Sequence, residues 1–218
     1  MTDARRPVGV CIRAIRAEPA WWLESARRLD AAGYAGVWCW DHFMGRGDPT
    51  VPVIEGWTIL AMAAAATKRM TVGPFVLNVM NRHPALVARM ASTLQIASGG
   101  RLVLGLGIGG APREHEAYGI DFPSAPERVA RLEEAVAVIR ALWTGGPVTR
   151  DSPFYPLHEA YAHPLPVPPP PIIIGGETAL PAVGGAGAES MAGALRLGRI
   201  QVERIGDDVL ISGYTRAD

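Results

Sequence analysis

The stretch that decides the fold is Gly36-Val37-Trp38-Cys39-Trp40-Asp41-His42, in which a run of small and apolar residues ends in a carboxylate and an imidazole. The apolar part is short, contains β-branched and aromatic residues, and is typical of a buried strand. A buried Asp or His is unfavourable unless it is hydrogen-bonded or in use. The sequence therefore predicts a buried β-strand whose carboxyl end carries polar groups that are hydrogen-bonded or functional.

Three more predicted strands end in a similar way. Met70 to Val79 and Arg101 to Gly107 run into polar or glycine-rich residues, and the short strand Pro171 to Gly176 ends before Glu177. In a parallel α/β fold the carboxyl ends of the strands form one surface, where ligands bind. We therefore expect the polar residues at these strand ends to form one site.

Helical patterns alternate with the strands. Apolar residues recur at helical spacing, and proline, serine and glycine mark the ends of these segments. The pattern predicts a first strand at Val8 to Ile15 and helices at Pro19 to Gly33, Trp57 to Thr67, His83 to Ser98 and Ser124 to Trp143. The last helix has a predicted buried stripe of Val129, Leu132, Val136, Ile139 and Trp143. Such alternation indicates a parallel sheet, either open or curled into a barrel.

Two segments depart from this alternation. Residues 147–170 are rich in proline and predict an excursion before the last parallel strand. After an alanine- and glycine-rich stretch, Arg199 to Thr215 alternates around Gly206 and predicts a β-hairpin. A complete eight-stranded α/β barrel needs about 250 residues, so we expect an incomplete barrel. We assign residues 1–178 to the barrel portion and 179–218 to a divergent segment of the same domain.

Composition narrows the function classes. The 218 residues include 21 basic and 21 acidic side chains, a balance that gives no electrostatic case for nucleic acid or an anionic membrane. A small-molecule partner is the expectation. Cys11 and Cys39 lie in apolar runs and predict reduced, buried thiols. The sequence shows no signal peptide and no bilayer-spanning run, which favours a cytoplasmic protein.

Asp41 and His42 are the first candidate site residues. In the functional interpretation His42 lies over a cofactor ring or a reacting atom, while Asp41 binds polar edges of the same ligand. In the alternative interpretation, Asp41 caps the following turn and His42 forms hydrogen bonds with backbone groups of a loop. The glycine-rich stretch at 105–110 resembles a phosphate-binding loop only weakly. Its glycines equally suit the close approach of a flat ring to the backbone.

The other candidates lie beyond later strands. Glu114 and His115 are predicted on a loop. In the functional interpretation they are an acid and a base on the substrate side; in the alternative they are solvent-exposed surface residues. Asn78, at the end of the third predicted strand, is the residue there that we expect to point at a ligand. Backbone amides at Gly175 and Gly176 could bind a phosphate or a carboxylate. In the alternative, the two glycines form a tight turn between a strand and a helix. The sequence contains no nucleophile elbow, Walker motif or metal-spaced His/Cys cluster.

Several ordered blocks carry a resemblance to a known family. They are the stretch GVWCWDHF at 36–43, LNVMNRHP at 77–84, SGGRLVLGLG at 98–107, ERVARLEE at 127–134 and the end of 168–178. Together they resemble the bacterial luciferase-like flavin monooxygenase superfamily over about residues 8 to 178. The Asp-His-Phe after the second strand is more similar to the branch that uses the deazaflavin coenzyme F420 than to the FMN branch.

The resemblance implies a TIM-type barrel with the deazaflavin ring at the carboxyl-end rim and hydride transfer at ring carbon C5. It places His42 and Asp41 near that ring. It also places a non-proline cis peptide beneath the ring, near Phe75 and Val76, which makes these two residues part of the expected cofactor site. By the same resemblance, Gly107, Ile108 and Gly109 line the cofactor. Gly175 and Gly176 lie toward its phosphate tail.

Departures from the family pattern leave alternatives open. Some members carry a catalytic acid shortly after the glycines of the fourth strand, where this chain has Gly110-Ala111-Pro112, and Glu114 is the substitute candidate. After Thr178 the sequence does not match strands six to eight of the family. Either the fold is a reduced barrel, or the C-terminus is frameshifted or truncated. The alternatives to an F420-dependent oxidoreductase are an FMN-dependent monooxygenase and a non-catalytic relic that binds flavin or a partner. We also expect a homodimer that covers the open sheet edge.

Overall fold

A computed structural model describes residues 8–45 and 47–174, together with the backbone of two strands, Leu197–Ile205 and Asp208–Thr215. The chain divides into two compact units, Met1–Ala179 and Leu180–Asp218. The placement of residues 179–218 in the same domain as the barrel portion stays a prediction.

Short parallel strands form the framework of the first unit. Its strands are β1 (Gly9–Cys11), β2 (Gly36–Cys39), β3 (Thr71–Pro74), β4 (Leu77–Asn78), β5 (Leu104–Gly107), β6 (Val148–Arg150), β7 (Leu157–Ala160) and β8 (Ile172–Ile174). Two parallel ladders result, with the strand orders β1-β2-β3 and β4-β5-β8. Val72 joins them, because its N–H donates to the carbonyl of Arg101 and its carbonyl accepts from Val103. In the described residues the sheet is therefore a curved, open part of a barrel, which confirms the predicted incomplete TIM-barrel-like fold.

Five helices in the described part of the chain follow or connect these strands. They are α1 (Pro19–Ala31), α2 (Gly56–Ala66), α3 (Pro84–Ala97), α4 (Pro112–Tyr118) and α5 (Ala125–Leu142). The side chains of Glu55, His83 and Ser124 accept hydrogen bonds from the first turns of α2, α3 and α5. Because a side chain that caps a helix satisfies backbone N–H groups that have no other partner, these residues fix where the helices begin.

The core lies between the sheet and the helices. Buried residues from the strands, such as Val37, Val72 and Leu104, pack with buried residues of α2, α3 and α5. Two predictions of burial are wrong. Val129 is 43% exposed, because the buried face of α5 is set by Leu132, Val136 and Ile139 and does not extend to its first turn. Cys11 is also exposed, whereas Cys39 is buried, and both thiols are free.

The predicted strands at the start of the chain and before Asn78 are longer than the observed ones. The first strand stops early because Ile15 pairs antiparallel with Val53. The predicted strand Met70 to Val79 is divided into β3 and β4, and the Phe75–Val76 peptide between them is cis, as predicted.

The two irregular segments form hairpins. Strands β6 and β7 pair antiparallel within the predicted excursion. In the second unit, β9 (Leu197–Ile205) and β10 (Asp208–Thr215) also pair antiparallel, which confirms the predicted hairpin. The alanine- and glycine-rich stretch at 179–196 lies outside the described residues. No helix in the described part of the chain has the length and apolar character to cross a membrane.

Candidate functional site

An open pocket of about 360 Å³ lies at the carboxyl end of β2. His42 and Phe43, from the loop after β2, form one part of its wall, and Val53 and Glu55 precede α2. Tyr118, the last residue of α4, completes the lining. The site is thus built by residues that follow one strand and by the helix that follows β5, as expected for the rim of a parallel α/β sheet.

His42 is paired with Glu114 in this wall. Nδ1 of His42 lies 2.9 Å from Oε2 of Glu114, and the side chains are 31% and 10% exposed, respectively. Because Nδ1 is occupied by the carboxylate, Nε2 is the ring nitrogen that can contact a ligand. The pair is the arrangement in which a carboxylate fixes the orientation of an imidazole.

Glu114 also holds the backbone of the loop after β2. Its Oε1 accepts hydrogen bonds from the N–H groups of Phe43 and Met44, the latter at 3.0 Å. The prediction of a loop at 113–115 is wrong, since these residues lie on α4, which begins at Pro112, ends at Tyr118 and is followed by Gly119 in the left-handed conformation. Proline at the first position and glycine after the last are typical of a helix. Glu114 is consequently buried and is not solvated surface.

Asp41 lies behind His42 and is occupied by protein partners. Its buried carboxylate accepts from the backbone N–H of Asn78 at 2.9 Å, from Nδ2 of Asn81 at 3.2 Å and from Nη1 of Arg82 at 2.8 Å. Burial raises the pKa of Asp41, and the Arg82 guanidinium and the other donors oppose this effect. The structure thus places Asp41 as the group that ties the end of β2 to the loop after β4. Its contact with a ligand stays a prediction.

Arg82 connects Asp41 to the pocket wall. Its Nη2 lies 2.5 Å from Oε1 of Glu55, whose carboxylate also accepts from the N–H groups of Trp57 and Thr58. Burial acts to raise the pKa of Glu55, but hydrogen bonds from Thr58 and Trp57 and the charge of Arg82 outweigh it and lower the pKa. Glu55 is therefore an anion at neutral pH.

Asn78 has a fixed side-chain orientation. Its Oδ1 accepts from the backbone N–H of Met80 at 3.0 Å, so the amide nitrogen faces Oδ1 of Asn81 at 3.1 Å and Nε2 of His115 at 2.8 Å. Both ends of the amide are thus engaged with the protein. These contacts brace the loop after β4, and the predicted role of Asn78 in cofactor binding stays a prediction.

His115 is 1% exposed, and each of its two ring nitrogens contacts a different partner. Its Nδ1 lies 3.0 Å from the carbonyl oxygen of Asp121, which can only accept, so Nδ1 carries a proton. Its Nε2 accepts from the amide nitrogen of Asn78 and is therefore unprotonated. His115 thus joins α4 to Asn78 and Asp121, and its role as an acid or base stays a prediction.

The glycine loop after β5 packs closely on the strand beside it. A Cβ at Gly107 would meet the side chain of Val76, and a Cβ at Gly109 would lie 2.7 to 2.9 Å from three atoms of the Asn78 amide. Ile108 is partly buried against the core. The glycines therefore allow this loop to lie against β4. Gly175 and Gly176 lie outside the described residues.

Two parts of this site were not assigned from the sequence. Arg82 stands in the stretch at 77–84 and Glu55 shortly before the second predicted helix, and no sequence signal gives either residue a role. Neither residue is close to Asp41 in the sequence, so only the fold shows that the three side chains meet. No group of three or more His, Cys, Asp or Glu residues suited to a metal ion occurs in the part of the chain that the structure describes.

Sequence comparison identifies relatives of this chain. It is 37% identical over 171 residues to an F420-dependent glucose-6-phosphate dehydrogenase of Kineococcus radiotolerans, an alignment that covers 77% of this chain and 48% of the relative. It is 47% identical over 113 residues to a phthiodiolone/phenolphthiodiolone dimycocerosates ketoreductase of a Mycobacterium species, covering 50% of this chain and 28% of the relative. The chain thus spans less than half the length of these relatives.

Solved structures agree with this placement. An F420-dependent secondary alcohol dehydrogenase in complex with an F420-acetone adduct superimposes with a TM-score of 0.72 at 29% identity, over 78% of this chain and 52% of that protein. A coenzyme F420-dependent tetrahydromethanopterin reductase from Methanopyrus kandleri, at 22% identity and a TM-score of 0.67, shares the fold over 80% of this chain and 51% of its own. The model of the luciferase-like monooxygenase family matches residues 12–195. The chain therefore belongs to the luciferase-like monooxygenase family.

Proposed function

We propose that this chain is an F420-dependent oxidoreductase that transfers a hydride between the deazaflavin and a small organic substrate. The single observation that carries the proposal is the His42–Glu114 pair, 2.9 Å apart at the wall of a pocket on the carboxyl-end rim. The relatives named for F420-dependent reactions support the choice of coenzyme. Since the chain spans about half their length, the activity is a proposal for this chain and is not transferred from them.

The described residues fit the ring end of such a coenzyme. Gly107 is the last residue of β5, Gly109 and Gly110 follow it, and a Cβ at Gly110 would meet only open space. A flat ring can therefore approach this backbone closely. His42 stands at the edge of the adjacent pocket with a partly exposed imidazole. The contacts of the phosphate tail, predicted for Gly175 and Gly176, stay a prediction.

Each residue of the site has a proposed task. The bound coenzyme supplies the hydride chemistry. His42 contacts the ring or the reacting atom through Nε2, because Nδ1 faces Glu114. Glu114 orients the imidazole and anchors the loop after β2. Asp41 acts as a positioning residue through its bonds to Asn78 and Arg82. Such tasks keep the imidazole in one orientation while the substrate binds.

Titration of the purified protein with F420 and, separately, with FMN tests the proposal. We expect F420 to bind and to be reduced in the presence of an oxidisable substrate, and FMN to bind more weakly. The His42→Ala variant should keep the thermal melting temperature and lose coenzyme reduction. His158→Ala, at an exposed histidine outside the site, is the matched control and should behave like the unmodified protein.

The outcomes separate the alternatives left open by the sequence. Tighter binding of FMN, with oxygen-dependent turnover, would favour an FMN-dependent monooxygenase. Binding of neither coenzyme, or binding without substrate-dependent reduction, would favour a non-catalytic relic. Unchanged turnover in His42→Ala would remove this residue from the site.

We further propose that the chain forms a homodimer. In the described residues β1 and β8 are the outer strands of an open parallel sheet, and such edges associate when they are not covered. Sedimentation at micromolar concentration should show a dimer. A monodisperse monomer under these conditions would contradict the proposal.

A further inference from the structure

One face of the pocket beside His42 is apolar and aromatic. Phe43, Val53 and Tyr118 supply this face, and the two aromatic rings meet edge to face with their centroids 5.4 Å apart. The hydroxyl of Tyr118 donates to the carbonyl oxygen of Phe43 at 3.3 Å. The polar atom of this tyrosine is therefore directed at the backbone, and its ring is available to an apolar or aromatic body.

The charged groups near this face are predominantly acidic. Glu55 lines the pocket and is an anion at neutral pH, because hydrogen bonds from Thr58 and Trp57 and the charge of Arg82 lower its pKa. Its cationic partner is Arg82, whose guanidinium is also bound to Asp41. Because the carboxylates of Asp41 and Glu55 share this one guanidinium, Arg82 offers no free positive charge to the pocket. Glu114 adds a further carboxylate behind His42.

The described residues that line this pocket include no lysine or arginine. Arg82 does not take the place of one, because its side chain is only 12% exposed and its two terminal nitrogens contact the two carboxylates. An anionic group bound here would lose its hydration and face acidic neighbours. This wall therefore disfavours a phosphate.

The pocket is separate from the residues assigned to the coenzyme. Apart from His42, its lining contains none of the cofactor candidates at 75–78 or 107–109. His42 is the residue that both groups share, so the pocket adjoins the coenzyme site at the point where hydride would pass. We therefore expect the residues that line this pocket to contact the substrate.

We propose that the substrate part held beside His42 is a neutral alcohol or carbonyl compound with an apolar or aromatic body, and that phosphorylated compounds are excluded; this inference rests on the proposed function. Oxidation of the alcohol breaks its C–H bond, and the hydride passes to oxidised coenzyme F420. It also breaks the O–H bond, and the proton passes to His42 or to water. The products are the carbonyl compound and reduced coenzyme F420.

A matched pair of probes tests the inference. Benzyl alcohol and benzyl phosphate share the aromatic body and differ in the phosphate. Binding of each to the full chain, with and without F420, is measured by saturation-transfer NMR, which needs no turnover. We expect the alcohol to bind and the phosphate to bind at least roughly tenfold more weakly at low ionic strength, where charge repulsion is least screened.

A cation introduced at the pocket edge should reverse this preference. Tyr118 is 56% exposed, so Tyr118→Arg places a positive charge in the lining without disturbing the core. We expect this variant to strengthen binding of benzyl phosphate relative to benzyl alcohol. Tyr34→Arg, at an exposed tyrosine outside the pocket, is the control and should leave the preference unchanged.

The outcomes distinguish this inference from the proposed function. Equal or tighter binding of benzyl phosphate to the unmodified protein would overturn the inference, and so would a failure of benzyl alcohol to bind. A phosphorylated substrate that reduces bound F420 faster than any neutral alcohol would also overturn it, although the proposed function would stand. Absence of F420 binding would instead remove the proposed function.

Discussion

Glu114 reaches His42 across 72 positions of the sequence and holds both its imidazole and the backbone that follows it. One carboxylate oxygen faces Nδ1 of His42, and the other accepts from the N–H groups of Phe43 and Met44. The short helix α4 supplies this contact after β5, while His42 follows β2. Two strand ends that are distant in sequence are thereby joined through a single side chain.

Because Glu114 contacts both the His42 imidazole and the loop backbone, we expect its Gln and Ala variants to differ in stability. Glu114→Gln keeps an acceptor for the two backbone N–H groups, but its amide nitrogen donates to Nδ1 of His42 and changes the tautomer. We expect it to lower the hydride-transfer rate at least tenfold, with a loss of unfolding free energy of about 1 kcal/mol or less. Glu114→Ala leaves the buried N–H groups without this acceptor and should cost about 1–3 kcal/mol.

Urea unfolding and turnover of the same preparations separate these two roles. Glu116→Gln, at an exposed position of the same helix, is the control and should change neither quantity. Equal stability losses for the Gln and Ala variants would argue against the anchoring of the loop by Glu114.

The buried ion pair between Asp41 and Arg82 predicts strong destabilisation when one partner is removed. Arg82→Met leaves the carboxylates of Asp41 and Glu55 without their cation, and we expect a loss of about 3–5 kcal/mol of unfolding free energy. In the double variant Asp41→Asn/Arg82→Met one of these charges is also removed, so the loss should be smaller than the sum of the two single losses. Arg140→Met, at an exposed arginine of α5, is the control. Additive losses in chemical denaturation would contradict a coupled pair.

Asp30 at the end of α1 predicts a dependence of stability on pH. Its carboxylate accepts from the backbone N–H groups of Lys68, Arg69 and Met70 at 2.9 to 3.0 Å. Burial acts to raise the pKa of Asp30, but these donors outweigh it and lower the pKa below the usual 3.8. A lowered pKa stabilises the folded state above the unfolded pKa, and this contribution is lost as the pH falls through the folded value.

The variant Asp30→Asn lacks this titration. We expect it to be less stable than the unmodified protein by about 1–3 kcal/mol at neutral pH, and the difference to shrink below about pH 4. Denaturation with urea across this pH range measures the difference. Asp151→Ala, at an exposed acid, is the control. A difference that is constant with pH would show that the carboxylate charge of Asp30 is not what stabilises this junction.

Much of the fold follows from local patterns in the sequence. The starts of α1, α3 and α5 were predictable because proline and capping residues mark them directly. The cis peptide at Phe75–Val76 followed from the family resemblance and not from the residues themselves. Helix α4 was missed because its seven residues, rich in charge, carry no apolar periodicity long enough to distinguish a helix from a loop.

The location of the site was predictable from the sequence, but the contacts between its side chains were not. That His42 and Asp41 lie at a strand end followed from the apolar run before them. The partners of these side chains did not follow, since Glu114, Arg82 and Glu55 come from three other segments, and their contacts depend on how the helices pack. His115 shows the same limit, because its burial between Asn78 and Asp121 is a tertiary feature.

Two neighbouring glycines after β5 offer a test of how the loop contributes to the site. Gly109 has φ near +72°, and a Cβ there would lie 2.7 to 2.9 Å from the amide of Asn78. Gly109→Ala should therefore displace the Asn78 amide, disturb its contacts with Asn81 and His115, and cost about 1–3 kcal/mol of unfolding free energy. Gly110→Ala is the matched control, because a Cβ at Gly110 has no atom within 4 Å.

Melting temperature and F420 affinity of both variants are the measurements. If the ring lies over this loop, Gly110→Ala should keep the melting temperature and weaken F420 binding, since its methyl group projects into the open space that the ring would occupy. Gly109→Ala should lower both, because it disturbs the loop itself. Unchanged F420 affinity in Gly110→Ala would place the ring away from the loop after β5, and equal melting temperatures for the two variants would show that the Asn78 contact does not constrain residue 109.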